Sequence, residues 1–200
     1  MSHATHRDYA GAKLGMWLFL FTEMLLFGGL FILYAVYLHR YPAEFAVAGH
    51  RLDLVLGTAN TAILLTSSLL AALAVTAVQR DEGRVAFRAL GGTIVCAGLF
   101  LVIKYAEWSA KIGHGIYPGS PDLAAGPPGE SVFFGLYYLT TGLHGLHVLI
   151  GGVLLAVVAR RVKEGRVHAG DYIWLENGAL YWHLVDLVWI FIFPLYYLML

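Results

Sequence analysis

Residues 132–159 read VFFGLYYLTTGLHGLHVLIGGVLLAVVA, a run with no Asp, Glu, Lys or Arg. A helix needs about 20 mostly apolar residues to cross the hydrocarbon core of a bilayer, and buried strands are far shorter. The run therefore predicts a membrane-spanning helix, and the rest of the chain repeats the pattern. Four more segments, roughly 14–38, 56–79, 88–108 and 177–199, have the same length and character. Turn residues fall between the segments, and the alternating ten-residue strands of a transmembrane barrel are absent. The expected fold is all-α: a polytopic bundle of five transmembrane helices forming a single membrane domain over residues 1–200.

Composition agrees. The chain is 59% apolar and 13% charged, about half the charge of a typical soluble domain. Lys+Arg and Asp+Glu are 13 each, so there is no basic field suited to nucleic acid. Disorder, a disulfide scaffold and an ordinary soluble enzyme all fit poorly. The one cysteine, Cys96, falls inside the third span and reads as a small apolar core residue rather than a ligand or nucleophile.

The connections set an expected orientation. Met1 to Lys13 has no apolar region of the kind found in a cleaved signal peptide, so the first span is expected to be retained. The stretch from Gly113 to Gly129 holds four prolines and five glycines and reads as an irregular surface loop. The N-terminal arm and the second and fourth loops carry nine Lys and Arg between them, against three on the other side. That excess predicts a cytoplasmic N-terminus and an external C-terminus. His3, His6, His39, His50, His114 and His168 fall in these connections and read as solvated, those on the cytoplasmic side being able to buffer protons.

Polar residues inside the spans stand out, because a charge at the centre of a membrane helix costs about 2.5–3.5 kcal/mol on insertion scales. They are Glu23, Lys104, Glu107 and Asp186, with His144, His147 and His183. Lys104 and Glu107 are three apart near the outer end of the third span, which predicts a boundary ion pair able to reach the interface. Glu23, His147 and Asp186 each lie about 14 Å deep at ~1.5 Å per residue. Lipid offers them no partner, so a buried polar cluster of these three is expected, with His144 and His183 nearby. Such a network can tie helices together or pass protons. A b-type haem held by His183 with His144 or His147 is a third possibility. In the second span, Asn60, Thr61, Ser67 and Ser68 suit close helix packing and hydrogen bonds across helices. No phosphate loop, His-Glu-x-x-His, nucleophile motif or half-chain repeat is present.

The same residues carry a resemblance. The stretch Gly15 to Phe27 around Glu23, the Asn60-Thr61 and Ser67-Ser68 pairs, Tyr105-Ala106-Glu107-Trp108, the run Thr141-Gly142-Leu143-His144-Gly145-Leu146-His147-Val148 and the run Trp182-His183-Leu184-Val185-Asp186-Leu187-Val188-Trp189 resemble, in order, five helices of subunit III of the haem–copper respiratory oxidases. Many members of that family have seven helices, and this chain begins at what would be the third, as shorter bacterial forms do. Lipid sites that need the missing pair therefore do not carry over.

The resemblance implies a non-redox subunit of a proton-pumping terminal oxidase in the cell membrane. It implies no haem, copper or other metal in this chain, haem and copper in partner subunits, and bound membrane phospholipid. The implied partners are the catalytic subunit I and subunit II, with this chain stabilising the catalytic subunit during turnover and assisting proton uptake. Cytochrome c oxidases, quinol oxidases and the subunit accompanying some nitric oxide reductases share this architecture. An independent haem protein and a transporter are the readings outside the family.

Overall fold

The computed structural model describes residues 9–198, so His3 and His6 lie outside the described residues. The elements are α1 (Tyr9–Arg40), α2 (Pro42–Gly49), α3 (Leu54–Gln79), α4 (Gly83–Gly113), α5 (Pro121–Ala125), α6 (Pro128–Lys163) and α7 (Ile173–Phe193). A π-helical turn, Pro194–Leu198, continues α7. Among the described residues, five helices are long and apolar enough to span a membrane: α1, α3, α4, α6, and α7 together with its π turn. No strand occurs among the described residues beyond an isolated His168–Asp171 bridge.

Local chemistry sets the ends. Proline opens α2, α5 and α6 near the first helical position, where a missing N–H costs nothing. The Asp53 carboxylate caps α3, accepting from the Val55 and Leu56 amides at 2.9 and 3.0 Å. Gly165, with φ near +70°, closes α6 in a conformation that side chains disfavour. The loop from Gly113 to Gly129 is more ordered than its composition suggests. It contains α5, whose Leu123 is buried and whose first turn is capped by the Ser120 hydroxyl.

Apolar surface cannot drive helix association in lipid, so close packing and hydrogen bonds must do so. α6 is the central element, packing on α1, α2, α4 and α7, while α3 lies against α4 and α7. Gly151 on α6 meets the Trp182 ring so closely that a Cβ there would stand 2.8 Å from it. Trp182 and Trp189 on α7 are fully buried and donate from Nε1 to Ser67 Oγ and Thr61 Oγ1, each at 3.0 Å. α1 is the most peripheral helix. It buries Leu20, Phe27 and Tyr34, one residue every seven, which is a single narrow stripe.

The antiparallel order gathers the start of α1, the α3–α4 turn and the α6–α7 loop at one end. The Tyr9 hydroxyl donates to Asp171 at 2.6 Å, Lys13 pairs with Glu176 at 2.8 Å, and Arg161 lies 4.0 Å over the Trp174 ring. Most of the lysines and arginines sit at this basic end. At the other end, α2 is tied to α6 by the Gly129 amide, which donates to Glu44, and Arg51, in the turn after α2, pairs with Glu130 at 2.9 Å.

Candidate functional site

Three separate polar groups occupy the bundle. The first joins α1 to α6. Glu23 lies three residues after Leu20 and four before Phe27, on the same buried stripe, and its Oε2 is 2.9 Å from His147 Nε2. His147 Nδ1 is 2.8 Å from the Leu143 carbonyl oxygen. A carbonyl only accepts, so Nδ1 carries a hydrogen. The contact at Nε2 then needs one proton between the two groups: a carboxyl O–H donating to imidazole, or an imidazolium donating to carboxylate. The Phe27 ring stands edge-on to His147 at 5.2 Å, and the Tyr181 hydroxyl donates to the His147 carbonyl at 3.3 Å. The pair is not sealed. It faces an open cavity of about 370 Å³ lined by Met16, Phe19, Ile150, Leu154 and Tyr181, and the two side chains keep 15% and 11% exposure.

The second group joins α7 to α3. His183 Nδ1 is 2.7 Å from Ser68 Oγ. Asp186, 3% exposed, lies near the Ser68 hydroxyl, with neither carboxylate oxygen in a well-aligned hydrogen bond among the described residues. The expected cluster of Glu23, His147 and Asp186 is therefore split. The reason is rotation. Tyr181 is the α7 residue that faces His147, and Asp186, five residues on, is turned about 140° from it at 100° per residue, toward α3.

His144 joins neither group. Fully buried, it is boxed by Phe100 at 5.4 Å and Trp189 at 5.2 Å, and its ring nitrogens have no partner among the described residues. Asn60 on α3 is likewise fully buried with its amide unpaired.

The third group lies toward the opposite end of the bundle. Lys104 Nζ donates to Glu107 Oε2 at 2.8 Å, to the Tyr197 hydroxyl at 2.7 Å and to the Tyr137 hydroxyl at 3.2 Å. Glu107 also accepts from Lys111 at 3.3 Å and from the hydroxyls of Tyr137 and Tyr197 at 2.9 Å. Lys104 and Glu107 are 6% and 2% exposed, so this is a closed interior network rather than a boundary pair reaching the interface. The aromatic cage explains the difference. Lys104 lies 5.0–5.2 Å from the ring centroids of Trp189, Tyr137 and Tyr197, and its ammonium has three acceptors inside. Lys111, Tyr137 and Tyr197 were not singled out by sequence. Lys111 had a readable signal, four residues after Glu107 on one helix face. The tyrosines, on α6 and the π turn, had none.

These donors do not fit a haem or copper site. His147 is committed to Glu23, His183 to Ser68, and His144 to an aromatic box. Among the described residues, no three His, Cys, Asp or Glu converge as a metal-binding group.

Five apolar spans, tied to one another by interior polar contacts, define a polytopic membrane protein. Residues 2–199 match the family model described as Cytochrome c oxidase subunit III. The chain is 32% identical to cytochrome c oxidase subunit 3 of Thermostichus vulcanus over 195 residues, 97% of this chain and 89% of the relative. It is 32% identical to haem–copper oxidase subunit I+III of Aeropyrum pernix over 190 residues, 92% of this chain and 22% of that longer protein. It is 28% identical to cytochrome bo(3) ubiquinol oxidase subunit 3 of Pseudomonas aeruginosa, covering 97% of this chain and 88% of the relative. The chain belongs to the cytochrome c oxidase subunit III family: it is a subunit III of a haem–copper oxidase, a multi-pass protein of the cytoplasmic membrane.

Proposed function

We propose that this chain is the non-redox subunit III of a cytochrome c oxidase-type complex. It packs against catalytic subunit I and subunit II, stabilises the catalytic subunit during turnover and supports proton uptake. Haem and copper belong to the partner subunits. The N-terminus, with the basic end of the bundle, faces the cytoplasm, in keeping with the excess of Lys and Arg there. The fused subunit I+III of Aeropyrum pernix favours subunit I as the main partner.

The observation that carries the proton role is the Glu23–His147 contact. It needs a shared proton and faces an open cavity instead of being locked in the core. A proton between two acceptors is transferable with little rearrangement, and the pair lies part-way across the membrane from the basic end. Asp186 and His183, beside Ser68, and the boxed His144 serve helix packing in this reading, as do Asn60, Thr61 and Ser67. The Lys104–Glu107 network clamps the far end.

Glu23→Gln tests the proposal, because an amide keeps the shape but cannot exchange the proton. The mutant complex is expected to keep initial oxygen reduction near wild type. It should lose proton uptake or lose activity faster during sustained turnover. Wild-type uptake and lifetime together would make Glu23 a packing residue only.

A further inference from the structure

Near the basic end, a groove of about 630 Å³, within the range of small-molecule sites, lies between α4 and α6. Deeper along the same two helices, a Cβ on Gly152 would stand 3.6 Å from Ala97. The groove's walls are Phe87, Gly91 and Ile94 on α4 with Ala156 and Ala159 on α6. A Cβ on Gly91 would meet nothing within 4 Å, so no side chain of this protein fills the space.

The rim of the groove is charged. Arg160, Lys163 and Glu164 complete its lining where α6 ends, and Arg160 pairs with Glu164 at 2.9 Å. The Lys163 ammonium lies 5.8 Å over the Phe87 ring and forms no ion pair among the described residues. Glu164 is exposed, and its bond to Arg160, with Arg166 nearby, holds its carboxyl below the ordinary range, so it remains an anion there. One carboxylate facing Arg160, Lys163 and Arg166 leaves the rim positive. Arg84, three residues before Phe87 and seven before Gly91, extends the same basic face on α4.

We propose that this groove is a binding site for an anionic glycerophospholipid. Its phosphate sits between Arg160 and Lys163, and an acyl chain lies along Gly91, Ile94, Ala156 and Ala159. Charge complementarity selects the occupant. A partner helix would satisfy the apolar walls but not the positive mouth. Basic pockets between membrane helices characteristically take acidic headgroups. The cavity is separate from the Glu23–His147 pair, so the assignment does not depend on the proton role.

The test is native mass spectrometry of the purified complex, delipidated and then equilibrated with mixed micelles of detergent and either phosphatidylglycerol or phosphatidylcholine. Wild type is expected to retain phosphatidylglycerol in preference to phosphatidylcholine. Loss of two rim charges in Arg160→Ala/Lys163→Ala is expected to weaken retention about tenfold or more. Gly91→Leu, whose Cβ would meet nothing within 4 Å and whose side chain would occupy the groove, is expected to do the same while leaving assembly intact. It decides the matter should the double variant fail to assemble. Benzoylphenylalanine at Phe87 should crosslink to lipid on illumination. Retention unchanged in Gly91→Leu, equal retention of the two lipids, or a crosslink to a protein chain would each overturn the proposal.

Discussion

Glu107 carries more of the fold than any other charged side chain. Its two oxygens accept from two lysines and two tyrosines in an interior that is almost closed to solvent. Removing one partner of a buried ion pair is far costlier than removing a neutral hydrogen bond, because the remaining charge is stranded. Glu107→Gln would leave both lysines without a counter-charge, a loss on the order of 3–5 kcal/mol. Tyr137→Phe removes one neutral donor, a loss of about 1 kcal/mol. Thermal unfolding of the two variants in detergent is expected to show a much larger fall in midpoint for Glu107→Gln. Equal falls would mean that charge balance is not what holds this end of α4. Sequence spacing placed Lys104 beside Glu107, since three residues make nearly one turn. It was silent on the tyrosines that complete the cage, because they come from α6 and from beyond α7.

At the scale of elements, the packing of α6 on α7 depends on the absence of a side chain at Gly151. An added Cβ would press on the fused ring of Trp182 at 2.8 Å, and that indole is fully buried and bonded to Ser67, so it has nowhere to move. Gly151→Ala is expected to destabilise by about 1–3 kcal/mol, the usual effect of overpacking. Gly98→Ala, where a Cβ meets nothing, is expected to be neutral or slightly stabilising. Paired denaturation curves check both, and an innocuous Gly151→Ala would show that α6 and α7 tolerate looser packing. The spans themselves were legible, as the apolar runs had to be helical to satisfy their backbone in lipid. Their ends were not. The first run reads as 14–38, whereas α1 is Tyr9–Arg40, because interfacial residues such as Tyr9, Lys13 and Arg40 extend the helix without being apolar. The short helices α2 and α5 were missed for the same reason. Neither needs to cross anything, so neither has a length signal.

For the whole molecule, Asp186 shows that the assembled bundle, and not depth alone, decides which polar groups meet. Depth along a helix can be counted from sequence, and that count sets Glu23, His147 and Asp186 each about 14 Å deep at ~1.5 Å per residue. Which helix faces which is a property of the assembled bundle, and it turns Asp186 toward Ser68 on α3 while Glu23 meets His147. The three polar groups are thus separate fastenings: α1 to α6, α7 to α3, and α4 to α6 with the π turn. The most direct measurement is a mild-detergent purification through this chain, with partners identified and reduced-minus-oxidised spectra taken before and after the subunits are separated. A haem–copper catalytic chain is expected to co-purify with the absorbance, and the isolated chain is expected to show none. A b-type spectrum from the isolated chain, lost on His183→Ala, or the absence of any haem-bearing partner, would contradict it.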